Sequence, residues 1–184
     1  LVGRYPEMRG VGHAPREPGI CHRLDTDTSG LLIAARHHAA FDRVVAALAD
    51  GSLDKRYLAV CEDRSEGGLA DSGSIHARLE HVGARVVATA DPSANPTHFT
   101  VLSRVAGRLL VEVRATAAFR HQVRAHLAFV GCPLVGDRVY DVAAASGGIG
   151  RHALHASRLA LTSGELSFEC ASPLPPELAA LLSP

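Results

Sequence analysis

The chain has 184 residues, 47% hydrophobic and 21% charged, so it can bury a core as an ordinary globular protein. Its 19 basic and 19 acidic residues give a formal net charge of zero. Overall charge therefore does not drive binding to nucleic acid, and any such binding would need a local basic patch. No apolar run approaches the roughly 20 residues of a membrane span. Four widely separated cysteines predict reduced thiols. We therefore expect a cytoplasmic protein without membrane contact.

The first third of the chain alternates loops with short regular elements. Residues 1–20 are rich in Gly, Pro and Arg and predict a surface loop. Residues 22–30, HRLDTDTSG, place acids, hydroxyls and a glycine before the apolar run 31–35, which indicates a tight loop followed by a buried strand. Apolar side chains at helical spacing predict a helix over 38–49. The pattern over 57–61 is typical of a strand.

The middle of the chain is dominated by strand-like alternation. An acidic, glycine-rich loop is predicted over 62–73. Short β patterns follow at 74–79, 84–89, 97–105 and, most clearly, 108–114. The succession lacks the intervening helices that a parallel βαβ arrangement would need, so we expect mostly antiparallel pairing.

The last third contains a second helix and a hairpin. The helix is predicted over 119–130, and a small-residue loop follows at 143–150. Strands at 153–161 and 166–170 are expected to form a hairpin, and Pro175–Pro176 starts a short helix. Many β segments with few helices, and no Gly-rich phosphate loop, predict an α+β fold with a mixed, largely antiparallel sheet and flanking helices and loops.

Asp25 is the side chain in the 22–30 loop with the clearest chemical potential. A carboxylate held in a tight loop against the core can act as a nucleophile. An Asp in a loop also commonly caps a turn through its own backbone. The stretch begins like a calcium loop, but the bidentate Glu needed at its twelfth position is replaced by Arg36. A reactive carboxylate and a structural turn remain as alternatives.

Eleven histidines invite a search for a metal site. The nearest pairs are His152 with His155 and His121 with His126. Neither pair has a carboxylate or thiol partner at a familiar ligand spacing, and the HExxH motif is absent. We therefore predict no metal.

The start of the second predicted helix is basic. Arg120 and Arg124 lie about one turn apart there, with His121 beside them. A helix N-terminus with two guanidinium groups is suited to bind a phosphate or a carboxylate. A solvated basic face is the alternative interpretation.

Four blocks of sequence together resemble the RluA-type pseudouridine synthases. In chain order the blocks are HRLDxxTSGLL (22–32), KxYLAV (55–60), HQVRxHL (121–127) and GxPLxGDxxY (131–140). The resemblance spans roughly residues 18 to 180 and is weakest over 62–96. The first two blocks are together highly specific for that family.

The resemblance implies isomerisation of uridine to pseudouridine in structured ribosomal or transfer RNA, by an isomerase without a cofactor. The sequence does not reveal the oligomeric state, and we expect a monomer. It makes Asp25 the catalytic aspartate, as nucleophile or as base, and Tyr57 the ring that packs against the target base. Phosphate contacts are expected to make RNA binding sensitive to salt. The remaining predicted substrate-binding residues are His22, Arg23, Leu24, Arg120, His121, Gln122 and Arg124.

Position 119 departs from the family pattern. The family carries Thr-Gly-Arg ahead of its His-Gln pair, and that Arg is expected to pair with the catalytic aspartate; this chain has Ala-Ala-Phe at 117–119. We expect either that Arg120 reaches Asp25 or that Asp25 lacks its partner, and we expect Arg120 or Arg124 to supply the local positive charge. The second case would make the chain a catalytically impaired RNA-binding relic, which is the main alternative function. A histidine-based metal hydrolase is a more distant one.

The domain organisation expected from the resemblance is one pseudouridine synthase catalytic domain over residues 1–184. The family generally carries strands ahead of the position that matches Leu1, often with an upstream RNA-binding domain. Our expectation is that the chain lacks both. Loss of those strands would leave unpaired backbone groups in the sheet.

Overall fold

The computed structural model describes residues 1–83, 85–115, 119–141, 149–163 and 166–183. The helices are α1 (His38–Ala49), α2 (Gln122–Phe129) and α3 (Pro176–Ala179). The strands are β1 (Ser29–Gly30), β2 (Asp54–Glu62), β3 (Ser72–Ile75), β4 (Ala77–Val82), β5 (Arg85–Ala90), β6 (Thr97–Val105), β7 (Arg108–Ala115), β8 (Leu154–Ser163) and β9 (Leu166–Ala171).

The strands form a seven-stranded sheet and a separate hairpin. The main sheet has the order β1-β8-β2-β7-β6-β3, and β9 pairs with the other half of β8. Only β1 runs parallel to its neighbour. Strands β4 and β5 pair with each other apart from this sheet. The prediction of an α+β fold with a mixed, largely antiparallel sheet is therefore confirmed.

Strict alternation along β7 allows the main sheet to pack on both faces. Val111 and Val113 point to one face, where they meet Val123 and Leu127 of α2. Leu110 points to the other face and joins a smaller cluster around Leu178 of α3. Because side chains alternate between the two faces of a strand, a single central strand supports both layers. Helix α2 and the sheet thus enclose the larger core.

Helix α1 forms as its apolar spacing predicts. Phe41, Val44 and Ala47 are buried at intervals of three residues, which is one face of a helix. Its first turn is capped by the His37 ring, which accepts a hydrogen bond from the Ala40 amide. Gly51 follows at φ +76°, a left-handed conformation that ends the helix. This helix packs against the β8–β9 end of the sheet.

Several boundaries and one element differ from the predictions. The run 31–35 is not a buried strand: only Ser29–Gly30 pair with β8, and Leu32 is exposed. Helix α2 is shorter than 119–130 because His121 adopts a left-handed conformation, which an α-helix cannot include. The predicted loop 62–73 already contains the start of β3.

The other predicted elements of the second half are present. The segments at 84–89, 97–105 and 108–114 correspond to β5, β6 and β7, and the C-terminal helix begins at Pro176. Strands β8 and β9 form the expected hairpin. Most of the predicted loop 143–150, like Gly164 in the expected turn, lies outside the described residues.

Candidate active site

Asp25 and Arg124 form an ion pair at the centre of a cleft. The Arg124 side chain is only 7% exposed, because it projects from the buried helix α2. Its Nη1 donates to Asp25 Oδ2 at 3.1 Å. Its Nε and Nη2 donate to the two oxygens of Asp137 at 2.7 and 2.8 Å. One guanidinium thus links two carboxylates, in the geometry that favours Arg over Lys.

The electrostatics of this triad stabilise the charges of Arg124 and Asp137. Burial alone would raise the pKa of Asp137, but the hydrogen bonds and charge of Arg124 hold it below its usual value. Burial would lower the pKa of Arg124, and the two carboxylates raise it instead. Asp137 also accepts hydrogen bonds from the backbone amides of Val139 and Tyr140. Arg124 is therefore a fixed, permanently charged partner of Asp25.

The loop that carries Asp25 is held by two buried histidines. His152 Nε2 contacts Thr28 Oγ1 at 2.7 Å, and His155 Nδ1 contacts Ser29 Oγ at 2.9 Å. Gly30 lies against β8 at φ +117°, where a Cβ would stand 2.2 Å from the Ala156 carbonyl oxygen. Only glycine permits so close an approach, so the glycine of this motif fixes the loop to the sheet.

His121 provides a second polar contact to Asp25. Its Nε2 lies 3.8 Å from Asp25 Oδ2, and its Nδ1 lies 3.1 Å from the Tyr140 hydroxyl. That hydroxyl also accepts a hydrogen bond from the Val86 amide at 3.0 Å. Burial lowers the pKa of His121. The neutral imidazole thus lies between Asp25 and Tyr140, with one ring nitrogen facing each.

Tyr57 lies on β2 and contributes the aromatic wall of the cleft. The ring packs against the core cluster between the sheet and α2. Burial, with a further contribution from the charge of Asp25, raises the pKa of its hydroxyl to about 12. Tyr57 is therefore neutral over the whole physiological range.

The cleft has a volume of about 310 Å³. This is near the lower end of the range for small-molecule sites, about 300–1,000 Å³. All nine residues that the sequence predicted for the site line this one cavity. They come from the 22–25 loop, from β2 and from the start of α2, which is the junction the motifs predicted. Their chemical roles stay predictions.

The nine residues differ in how much they are already engaged. Gln122 donates to Thr97 Oγ1 and accepts from the Phe119 amide, so it supports the start of α2. His22 Nε2 accepts from the Ile33 amide at 3.1 Å. Arg23 and Arg120 are exposed at the cleft. These two arginines are free to meet a charged ligand from the solvent side.

The two alternatives derived from position 119 do not hold, because Asp25 has a partner and that partner is not Arg120. It is Arg124, the other arginine that the sequence offered as the local positive charge. Phe119 is 38% exposed and stacks on His81 of β4, with ring centroids 5.1 Å apart. It therefore lies at the wall of the cleft rather than beside the carboxylate. Arg124 lies on α2 about one helical turn after Arg120, and its side chain points into the cleft.

Sequence reasoning missed four residues that the structure places in or behind the site. Asp137 and Tyr140 belong to the GxPLxGDxxY block, so the resemblance could have drawn attention to them. His152 gives no comparable signal, since its contact to Thr28 joins residues that are 124 positions apart. Lys55 lines the cleft and had been noted only as part of a motif.

The histidines considered as metal ligands are engaged in hydrogen bonds instead. His126 bonds Thr97 Oγ1 and the Ala77 carbonyl through its two nitrogens, and His155 bonds Ser29 and Ser172. Within the described ranges, no group of three His, Cys, Asp or Glu side chains could hold a metal ion. No helix in that part of the chain is long and apolar enough to cross a membrane.

Comparison with known proteins places this site in a family. The profile of the RNA pseudouridylate synthase family matches residues 8–129. An RNA pseudouridine synthase of Chloroflexus aurantiacus is 35% identical over 99% of the chain and 57% of its own length. The ribosomal large subunit pseudouridine synthase D of Nitrosomonas europaea is 34% identical over 99% of the chain and 54% of its own length.

A solved structure agrees with the sequence relatives. The human RNA pseudouridylate synthase domain-containing protein 1 superposes with a TM-score of 0.75 at 25% identity, over 92% of this chain and 76% of the human one. The chain spans a little more than half the length of the two bacterial relatives. Most of its length matches the family in both sequence and fold, and the chain belongs to the RNA pseudouridylate synthase family.

Proposed function

We propose that this chain converts uridine to pseudouridine in RNA, that Asp25 is its essential carboxylate, and that residues 1–184 form the catalytic domain. One observation carries the proposal. Asp25 Oδ2 is held by buried Arg124, whereas Oδ1 has no hydrogen-bond partner among the described residues. A carboxylate that is oriented through one oxygen and open at the other is suited to attack a substrate or to remove a proton.

The isomerisation of uridine requires few catalytic groups besides an oriented carboxylate. The N1–C1′ bond of uridine breaks, a C5–C1′ bond forms, and one proton moves from C5 to N1. The product is an isomer, so neither water nor an oxidant is consumed. Asp25 can add to the sugar at C1′, add to the base at C6, or remove the proton at C2′. In each case Arg124 holds the carboxylate in a fixed orientation.

The cleft is matched to one nucleoside rather than to an RNA helix. A uridine in folded RNA must leave its stack before any group can reach its glycosidic bond. The Tyr57 ring offers the flipped uracil an aromatic face beside Asp25. Its neutral hydroxyl adds no negative charge next to the carboxylate. We propose that Tyr57 holds the base while Asp25 acts on it.

We propose ribosomal RNA as the substrate class. The support is that similar proteins, including the Nitrosomonas europaea relative, are named ribosomal large subunit pseudouridine synthases. Arg23 and Arg120 would contact phosphates at the mouth of the cleft. Because such contacts release counterions from RNA, binding should weaken as salt rises.

The test uses unmodified transcripts of large-subunit ribosomal RNA and pseudouridine mapping after carbodiimide treatment. The Asp25→Asn variant should lose about 10³-fold or more in rate, because the amide is neither a base nor a nucleophile. The matched control is Asp27→Asn in the same loop, whose exposed side chain should be dispensable. Equal pseudouridine signals from Asp25→Asn and the parent would refute the proposed role of Asp25.

The alternative function, a catalytically impaired RNA-binding relic, was based on the expectation that Asp25 has no cationic partner. Arg124 supplies that cation, so no observation in the site now favours loss of turnover. A relic would bind the same transcripts and give no pseudouridine above background with the parent protein. The mapping experiment therefore also decides between the two functions.

A further inference from the structure

Lys55 is the only lysine in a chain with 18 arginines. It lies on β2, two positions before Tyr57, and both side chains line the cleft. The residue is only 9% exposed. Every other basic position in the chain is arginine, so this buried position is the one at which the chain uses an amine instead.

Within the part of the chain that the structure describes, no anion neutralises this ammonium group, and Lys55 has no hydrogen bond and no ion pair there. Burial alone lowers the pKa of Lys55, and the charge of Lys55 contributes to the lowered pKa of neighbouring His22. The nearest acid along the chain, Asp54, points to the opposite face of β2 and binds Arg56, Arg114 and Arg158 there.

An unpaired buried cation is costly, because it loses hydration without gaining a counter-charge. A folded protein keeps such a group where its partner is a ligand. Lysine suits this purpose as a compact charge on a flexible stem, whereas arginine needs a fixed planar partner. Asp25 does not serve as the counter-charge, because among the described residues its ion pairs are with Arg124 and His121 and not with Lys55.

We propose that Lys55 binds the phosphate of the nucleotide whose base lies against Tyr57. This inference rests on the proposed function, since it assumes that a flipped nucleotide enters the cleft. Side chains two positions apart on a strand share a face and lie about 6.6 Å apart along it. This spacing is on the scale of one nucleotide, so a base at Tyr57 brings its own phosphate towards Lys55. Lys55 is thus a binding residue, distinct from Asp25.

The single lysine makes the proposal directly measurable. Reductive ¹³C-methylation keeps the charge and gives one lysine signal, with the α-amine as internal reference. Saturating uridine 5′-monophosphate should raise the pKa of Lys55 by about one unit, as expected for an opposite charge within a few ångströms. Uridine, which lacks the phosphate, should leave it unchanged. An equal response to both, or no response to the monophosphate, would overturn the proposal.

A second measurement uses Lys55→Met, which keeps the length of the side chain and removes its charge. Affinity for uridine 5′-monophosphate should fall about tenfold, the loss expected for a charge-assisted hydrogen bond, while affinity for uridine stays within twofold. Arg56→Met is the matched control, since Arg56 is adjacent but faces Asp54 on the other side of β2. It should leave both affinities unchanged.

The stability of Lys55→Met distinguishes a ligand-binding role of Lys55 from a structural role. Lys55→Met replaces an unpaired buried charge by an apolar side chain, so its urea midpoint should rise above that of the parent protein. A falling midpoint, or unchanged affinity for the monophosphate, would contradict the proposal. Neither measurement requires turnover. If the parent forms no pseudouridine but Lys55 still responds to the phosphate, the proposed function fails and this inference stands.

Discussion

Asp25 and Asp54 are two acids of nearly equal exposure, 21% and 19% of the side chain, that differ in how they are held. Asp54 forms ion pairs with three arginines from three strands. Arg56 and Arg158 donate hydrogen bonds to its Oδ2, whereas Arg114 lies 2.9 Å from its Oδ1 without forming a hydrogen bond. Asp25 binds one arginine through one oxygen, because that arginine also holds Asp137. Exposure therefore does not distinguish Asp25 from Asp54; the number of arginine partners does.

The two sides of β2 repeat this contrast for cations. On the face opposite the cleft, Arg56 is balanced by Asp54 and Glu112. On the cleft face, Lys55 has no such partner among the described residues. The charged side chains on the face opposite the cleft, such as Arg56, form ion pairs that link strands of the sheet. Lys55 and Asp25, which have fewer partners, line the cleft.

The largest effect is expected from Arg124→Met, which removes the donor shared by Asp25 and Asp137. Asp137 would be left fully buried without its counter-charge, so the free energy of unfolding should fall by about 3–5 kcal/mol. Denaturant unfolding measures this loss. Arg158→Met is the control, because Asp54 keeps two other arginines. A loss under 1 kcal/mol for Arg124→Met would show that the triad does not stabilise the fold.

The free energy of unfolding should fall at acidic pH because His152 is buried. Burial is the main cause that lowers the pKa of His152 to about 4, below the ordinary 6.5. The unfolded chain then binds more protons between pH 6.5 and 4, so stability is lost as the pH falls through this window. From pH 7.5 to 5 this residue should account for about 2 kcal/mol.

The measurement compares urea unfolding of the parent and of His152→Gln at both pH values. The variant should show a smaller difference in stability between pH 7.5 and 5, by the contribution assigned to His152. Some pH dependence should remain, because burial also lowers the pKa values of His22, His121, His126 and His155. A variant with the full parental pH dependence would contradict the assignment.

Asp54→Asn tests the structural member of the comparison. Its arginine partners are partly exposed and screened by water, so the loss of stability should be only about 1 kcal/mol and should shrink at high salt. Pseudouridine formation should stay within about twofold of the parent, because Asp54 does not line the cleft. A loss of turnover comparable to that of Asp25→Asn would break the distinction between the two acids.

The smallest effect is expected from Phe119→Arg. Arg124 already pairs with Asp25, so an added guanidinium at the cleft wall should change the rate of pseudouridine formation by less than about threefold. Phe129→Arg, at an exposed aromatic position on α2, is the control for a new charge. A large gain of activity over a silent parent would instead revive the relic interpretation.

Local patterns in the sequence were enough to predict most elements. The spacing of Phe41, Val44 and Ala47 defines α1, and alternation defines β7, because a helix or strand that buries one face carries this period by itself. The motif around Asp25 was likewise recognised from neighbouring residues. The run 31–35 was misjudged, since apolar composition does not specify whether a strand partner lies beside it.

The sequence by itself determined the fold class, the family resemblance and the candidate residues, since each is encoded in short-range spacing. Only the tertiary structure decided that Arg124 rather than Arg120 holds Asp25, because this contact joins residues 99 positions apart and depends on how α2 is rotated against the sheet. It likewise decided that Lys55 forms no ion pair with an acid among the described residues. The presence or absence of a charge partner depends on the packing of elements that are distant in the chain.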